Sequence, residues 1–438
     1  MIRSGDYAKN NDKFDPGEVA ASVPPELNAC QRRAYLAAAR QKAVLIAGGA
    51  GVGKSYVVGK IARLYADRGY RVALAAPTGK AAKRIEQIVD MPAQTVHRLL
   101  KYNGHVFARN EESPLICDVV IVDEVSMLDV PLCYHLFKAI DFTKTNLVLV
   151  GDHNQLPPVG SGNIIRDILT NGLLPTVILD EVVRQAGLLK ENSIAILDGR
   201  VAGNTETGEG RKSWYLVDKF SEQADILNFI MLMYGKILDE KLGYHLVNNV
   251  QLLAPMKKGL LGVDNLNIVL QRLIQKKYYG VDVEDVPAGR RPRFYLRDKV
   301  IQLRNNYDLN VMNGSIGVIE DYDADNGVYT ILFDEGETQV EREDMKDVAL
   351  AYALTFHKSQ GSEYDCGIVV VHKSQSFMHH RNLFYTGVTR AKKTAIIIGD
   401  RWGIRNCAKQ RITDRRRTFL SLDGFGSHQI KEAAANNG

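Results

Sequence analysis

The stretch Gly48-Gly49-Ala50-Gly51-Val52-Gly53-Lys54-Ser55 constrains this chain more than any other part of it. It fits the spacing G-x-x-x-x-G-K-[ST], with Gly48, Gly53, Lys54 and Ser55 at the fixed places. The apolar run Ala43–Ala47 before it reads as a buried parallel strand. After it, Ser55–Ala66 carries Val57, Val58, Ile61, Leu64 and Tyr65 at mixed three- and four-residue spacing, which predicts a helix. In such a loop the glycines let backbone N–H groups face a phosphate chain. Lys54 brings a point charge for the β- and γ-phosphates, and Ser55 a hydroxyl for Mg²⁺. The competing reading is an ordinary glycine-rich turn, and the strand before and helix after it weigh against that.

The chain has 438 residues, enough for two to four domains with a substantial core. Its hydrophobic content of 45% and charged content of 24% are those of a globular protein. No apolar run approaches the roughly 20 residues that span a bilayer. Met1–Pro25 is polar, lacks the apolar stretch of a signal peptide, and is expected to be a loose leader. The five cysteines, Cys30, Cys117, Cys133, Cys366 and Cys407, are scattered without a C-x-x-C pair. That argues against a zinc or iron–sulfur module and fits a cytoplasmic protein. The net charge of +5 is unevenly spread. Arg401, Arg405, Lys409, Arg411, Arg415, Arg416 and Arg417 crowd one segment against Asp414 alone, which suits a polyanion as well as it suits a solvated tail.

Further strands end in polar loops. Arg71–Ala76 runs into Pro77-Thr78-Gly79-Lys80, where a helix begins and where N-terminal amides could hold a second phosphate. Val119–Val122 ends in Asp123-Glu124. Two carboxylates at the tip of a buried strand are costly unless they work, and after a phosphate loop the work is Mg²⁺ positioning by Asp123 and water activation by Glu124. Leu147–Val150 ends in Gly151–Gly160, whose Gln155 is the candidate γ-phosphate or water sensor. Four such strands within about 110 residues give a parallel sheet with helical crossovers. Gln31, in a helical stretch before the first strand, has an amide suited to a base edge. Tyr102 and Phe107 flank an Asn103-Gly104 turn, read as a small projecting hairpin at about 101–115. A second α/β unit is expected from about Leu179. Short strands with Asn-Gly and Asp-Asn-Gly turns interrupt it between Arg297 and Lys346 as a small inserted β-barrel. The α/β pattern resumes at Ala351.

Together these stretches resemble superfamily 1 DNA helicases, within them the RecD/Dda-like branch. Gln31 matches the Q motif and Gly48–Ser55 motif I. Ala76–Ala82 is similar to motif Ia and Thr95–Leu100, with His97, to the Ib stretch. Asp123-Glu124-Val125-Ser126-Met127 matches motif II, with Val where Ala is commoner. Gly151–Gly160 matches motif III, Val183-Arg184-Gln185 the arginine-bearing motif IV, Leu354–Glu363 motif V and Tyr385–Ala391 motif VI. The matches run from Gln31 to Gly399 in the family order. Only about 25 residues precede the Q motif here, so the extended N-terminal domain of longer RecD-like proteins is expected to be lacking.

The resemblance implies an α/β fold of two RecA-like P-loop domains with parallel sheets. It adds a hairpin or pin in the first and an SH3-like β-barrel insertion in the second. The boundaries expected are 1–25 for the leader, 26–178 for the first domain, 179–290 with 350–438 for the second, and 291–349 for the insertion. It implies ATP between the domains, contacted by Gln31, Gly48, Gly49, Ala50, Gly51, Val52, Gly53, Lys54, Ser55, Tyr56 and Glu363. Mg²⁺ falls to Ser55 and Asp123, and catalysis to Lys54, Asp123, Glu124, Gln155, Arg184 and Arg390. Single-stranded DNA is expected at Pro77, Thr78, Gly79, His97, Tyr102, Phe107, Thr355, His357 and Lys358. The function implied is ATP-driven 5′→3′ travel on single-stranded DNA with unwinding at forks. A monomer is expected, working with replication or recombination proteins. Two rivals stand beside it: a translocase that strips proteins without unwinding, and a nucleotide-switched adaptor.

Overall fold

In a computed structural model, residues 11–181, 187–204, 213–286, 291–306 and 308–411 are described. The chain forms two units, the first reaching Val183 without Thr78–Lys80, and the second holding those three residues and Arg184–Ile412. Helices α1 (Pro16–Ala21) and α2 (Ala29–Arg40) precede β1 (Ala43–Gly48). Then come α3 (Lys54–Ala66), β2 (Val72–Ala76), α4 (Gly79–Val89), β3 (Ala93–Thr95) and α5 (Val96–Leu99). Next are β4 (Val119–Val122), α6 (Val130–Lys138), β5 (Asn146–Gly151), α7 (Ile164–Asn171) and β6 (Thr176–Leu179).

All six strands pair in parallel, in the order β3-β2-β4-β5-β1-β6. β1 sits between β5 and β6, with Ala43 opposite Leu147 and Leu45 opposite Thr176. It is buried along its whole length, which is why it reads as a continuous apolar run. Its side chains alternate between two cores. Val44 and Ile46 join Val57, Ile61 and Tyr65 on one face, and Ala43, Leu45 and Ala47 join Leu136, Leu149 and Val120 on the other. The buried Tyr65 hydroxyl donates to the Ala38 carbonyl and accepts from Asn146 Nδ2 at 2.8 Å.

The expected loose leader is corrected over residues 11–25. Asp15 caps α1, Pro16 opens it, and Phe14, Val19 and Leu27 lie in the core. Phe14 meets Tyr65 edge-on at 4.8 Å, and Asn11 donates to the Ala39 carbonyl at 2.7 Å. Met1–Asn10 lie outside the described residues. Leu179 ends a strand of the first sheet, so the first unit extends a few residues past the expected boundary at 178.

The second unit holds α8 (Gly187–Leu197), β7 (Trp214–Val217), α9 (Gln223–Leu232), β8 (Val250–Ala254) and α10 (Val263–Tyr279). An antiparallel sheet follows, built from β9 (Lys299–Gln302), β10 (Ile316–Asp323), β11 (Val328–Phe333), β12 (Gly336–Glu341) and β13 (Val348–Leu350), in the order β12-β11-β10-β9-β13. It has its own small core of Val300, Ile319, Ile331, Phe333 and Val340. The chain then re-enters the α/β pattern with β14 (Ala353–Thr355), β15 (Tyr364–Val371), α11 (Arg381–Val388), β16 (Ala391–Gly399) and α12 (Arg401–Lys409). This sheet is parallel, in the order β14-β8-β15-β16-β7. Cys30, Cys117, Cys133, Cys366 and Cys407 are free and buried. Among the described residues no helix is long and apolar enough to cross a membrane.

Candidate nucleotide site and nucleic-acid interface

In the first unit β1 delivers Gly48 into the loop, and the loop ends at Gly53 in a left-handed conformation (φ 78°) that a side chain would strain. α3 starts there with no side-chain cap, so the N–H groups of its first turn are open to an anion. Lys54 Nζ donates to the carbonyls of Gly48 (2.9 Å) and Gly49 (2.7 Å), which hold the ammonium over the loop. Gln31 is buried beneath it. Its Nε2 donates to the Val52 carbonyl (3.2 Å), while its Oε1 accepts from the Asn28 N–H (3.1 Å) in a capping box that starts α2. The amide expected at a base edge is thus engaged in holding the crest of the loop. Cys30 Sγ donates to Asp180 Oδ1 at 2.7 Å, which ties α2 to the end of β6. Tyr56, on the first turn of α3, has an exposed ring and donates to Glu26 Oε1 at 3.2 Å.

β4 carries Asp123 and Glu124 to the same edge of the parallel sheet. Burial first, and then the Glu124 charge, push the Asp123 carboxyl up to about 6, against the opposing pull of Lys54 and Arg84. Glu124 adopts a left-handed backbone (φ 54°), which is costly for a residue other than glycine. Its N–H donates to Asp123 Oδ1 at 2.8 Å, and its Oε2 is buried with no hydrogen-bond partner. A buried acceptor lacking a donor, beside a carboxyl whose ionisation burial makes costlier, fits a site completed by a hydrated cation and a phosphate chain. Gln155 and His153 lie on the loop after β5, the strand next to β1. Gln155 is buried and donates to Asp152 Oδ2 at 3.4 Å. Burial lowers the His153 imidazole, against the opposing pull of Asp152, and the Lys54 charge adds to the shift. Sequence reasoning passed over His153 and Arg84, although His153 lies inside the stretch singled out around Gln155.

The expected DNA contacts between Pro77 and Phe107 lie on several separate segments. Pro77 follows β2 directly, and Thr78 and Gly79 lead into α4. The hairpin reduces to one antiparallel bridge, Tyr102 to Phe107. Phe107 turns back to stack on His135 at 4.2 Å, and His97 meets Tyr102 at 5.5 Å and Phe107 at 5.9 Å. So His97 and Phe107 belong to an aromatic cluster packed on their own unit, and the exposed tip is Asn103-Gly104-His105-Val106. Tyr102 stays exposed, its hydroxyl on the Gly104 carbonyl.

In the second unit Thr355 ends β14 and accepts from the Lys358 N–H at 3.4 Å, across the turn that holds His357. Burial lowers the Lys358 ammonium, and Lys257 adds to the shift, so the two amines share a neighbourhood. Arg390 does not ride on a helix. α11 ends at Val388, and Arg390 lies in the turn before β16. It is 3% exposed. Its Nε donates to the Thr386 carbonyl (3.1 Å), Nη1 to the Ser362 carbonyl (3.2 Å) and Nη2 to Thr389 Oγ1 (3.4 Å). It thereby ties the segment after β14 to the end of α11. Gly387 tightens the same junction, because a Cβ there would meet the Phe356 ring at 2.1 Å. Glu363 is exposed and pairs with Lys392 at 3.8 Å. Arg184 lies outside the described residues, as do Arg415, Arg416 and Arg417.

Three family signatures match along the chain: an AAA domain at residues 31–161, an ATP-dependent RecD-like DNA helicase SH3 domain at 266–333, and a UvrD-like helicase C-terminal domain at 350–398. The SH3 match covers most of α10 and the antiparallel strands β9 to β11. The ATP-dependent RecD2 DNA helicase of Deinococcus radiodurans is 34% identical over 81% of this chain, which spans 46% of that relative's length. The RecBCD enzyme subunit RecD of Mycobacterium tuberculosis strain H37Rv is 29% identical, over 90% of this chain and 73% of its own. The Pif1 helicase from Bacteroides in complex with ADP-AlF3 and ssDNA shares the fold, with a TM-score of 0.50 and 17% identity over 90% of this chain and 94% of its own. With a phosphate loop, an acidic pair, an SH3 insertion and a C-terminal helicase module in one order along the sequence, the chain is similar to the RecD-like helicases.

Proposed function

We propose that this chain hydrolyses ATP to travel 5′→3′ along single-stranded DNA and to separate strands at a fork. The observation that carries the reading is the buried Glu124 Oε2 without a donor, next to Asp123 and within the field of the Lys54 loop. When bound, Mg²⁺ would neutralise phosphate charge, held by the Ser55 hydroxyl and Asp123. Lys54 exchanges its loop carbonyls for phosphate oxygens, and the open N–H groups of α3 hold the rest of the chain. Glu124 takes the proton of the attacking water, and Gln155 orients that water. Arg390, with Arg184, supplies the planar cationic donors that spreading γ-phosphoryl charge calls for. Contacts made to the γ-phosphate and lost on hydrolysis would couple turnover to movement. Thr78, Thr355, His357 and Lys358 contact the strand backbone, which carries no sequence information. The polarity rests on the family resemblance, and the recombination partners on the name of the RecD relative.

Hydrolysis measured with and without single-stranded DNA tests this. Lys54→Ala should lose both binding and turnover. Glu124→Gln should bind ATP but lose about 10²-fold or more in kcat, since only the base is removed. Near-normal turnover of Glu124→Gln with saturating DNA would refute the assignment, and slow turnover indifferent to DNA would favour a nucleotide-switched adaptor. The inward-packed Phe107 favours a second reading, a translocase that does not unwind, unless the exposed tip at Asn103–Val106 serves as the wedge. Replacing that tip by a Gly/Ser link should slow strand separation while leaving DNA-stimulated hydrolysis intact. Unchanged separation would place the wedge elsewhere.

A further inference from the structure

The parallel sheet of the second unit turns the carboxyl ends of its five strands to one edge. Each strand is followed within three residues by a cation: Lys358 after β14, Lys257 after β8, Lys373 after β15, Arg401 after β16 and Lys219 after β7. Strands lie ~4.8 Å apart, so this row runs ~19 Å across the edge. At its far side α12 presents Trp402, Arg405 and Lys409 on one exposed face. Trp402 is 57% exposed and Phe377, in the turn after β15, is 67% exposed. These large aromatics are displayed rather than packed. The two elements are fixed to each other, since Asp400 accepts from the Lys373 N–H at 2.6 Å while capping α12 through Gly403. Arg401 is partly neutralised by Asp218 at 3.1 Å. Arg405 and Lys409 have no carboxylate partner among the described residues. Arg401 and Arg405 also line a cavity of about 330 Å³ with Asn204 and Asp218.

We propose that single-stranded nucleic acid held by the second unit continues along this edge past Lys358 and crosses α12, with a base stacked on Trp402 and phosphates on Arg405 and Lys409. The inference rests on the helicase reading above and adds a strand-exit site to it. A linear row of cations at strand spacing suits a polyanionic backbone, and exposed aromatics between cations are what base stacking uses. An acidic protein surface would be met by the same charges but has no use for the bare indole face.

The chain reports on this site through its own fluorescence. It has two tryptophans, and Trp214 is fully buried with its Nε1 on the Ala202 carbonyl. Oligo(dT) of about 16 nucleotides should quench Trp402 emission and one of about 4 should not, bracketing the usual span of single-strand sites. Trp402→Phe should abolish the quenching. Trp402→Ala should raise the half-saturating concentration of the longer oligomer in the hydrolysis assay roughly tenfold, as expected for one lost stack, and leave that of the shorter one alone. Arg405→Glu should lower the salt slope of binding by about 0.7 for the lost phosphate contact. Both side chains are exposed, and unchanged melting temperatures would confirm folded variants. DNA-stimulated hydrolysis without any change in Trp402 emission would overturn the exit site alone. Quenching by polyglutamate as strong as by oligo(dT) would overturn it in favour of an acidic protein partner. Failure of DNA to stimulate hydrolysis would overturn the helicase reading itself.

Discussion

Gln31 donates its side-chain N–H to the Val52 carbonyl over 3.2 Å, so the helix before β1 holds the crest of the phosphate loop. The same side chain accepts from the Asn28 N–H, which makes Gln31 a link between the start of α2 and the nucleotide site.

Gln31→Ala breaks both bonds and leaves a loop carbonyl without its donor. The expected cost is about 1 kcal/mol of stability together with a severalfold rise in KM for ATP. Gln31→Glu keeps the acceptor for Asn28 but faces the Val52 carbonyl with a buried carboxylate, so it should cost at least as much stability as Gln31→Ala and raise KM as well. A KM unaffected in both variants would show that the loop holds its shape unaided.

Arg390→Lys keeps the charge but cannot serve the Thr386, Ser362 and Thr389 oxygens together. We expect kcat to fall roughly 10³-fold, with ATP affinity much less affected. The melting temperature separates two roles. A large fall in kcat with little change in melting marks a transition-state donor, whereas matching losses mark a scaffold joining β14 to α11. Rescue by lysine would leave Arg390 as a general field only.

Much of this was legible in the sequence because the strands that carry the nucleotide site are apolar along their whole length, and each ends in chemistry. Val119–Val122 followed by Asp123-Glu124 permits little else. What stayed hidden depends on partners far away in sequence. The polar residues 11–25 give no sign that Phe14 packs on Tyr65. The Asn-Gly turn announced a hairpin, but the stack of Phe107 on His135 pulls one of its aromatics inward. Arg390 follows the helical run Tyr385–Val388, and only the pairing of β16 with β15 shows that the helix has ended before it.

Lys299 on β9 gives a pH dependence with a defined sign. Burial lowers its ammonium to about 7, and its Nζ donates to the Val250 carbonyl at 3.0 Å. Between about 7 and the ordinary value near 10.5 the unfolded chain holds a proton that the folded chain does not. Stability therefore rises with pH across that window, with a slope approaching about 1.4 kcal/mol per unit from this group. Denaturation midpoints taken at neutral and alkaline pH should diverge in the parent and converge in Lys299→Met. The same pH dependence in the variant would assign the effect to another group.

Strand separation on tailed duplexes tests the central claim most directly. With ATP and Mg²⁺, a duplex carrying only a 5′ single-stranded tail should come apart, while a blunt duplex and one carrying only a 3′ tail should stay paired, and Glu124→Gln should separate none of them. Efficient separation from the 3′ tail alone would contradict the polarity, and no separation from either tail despite DNA-stimulated hydrolysis would contradict the helicase itself.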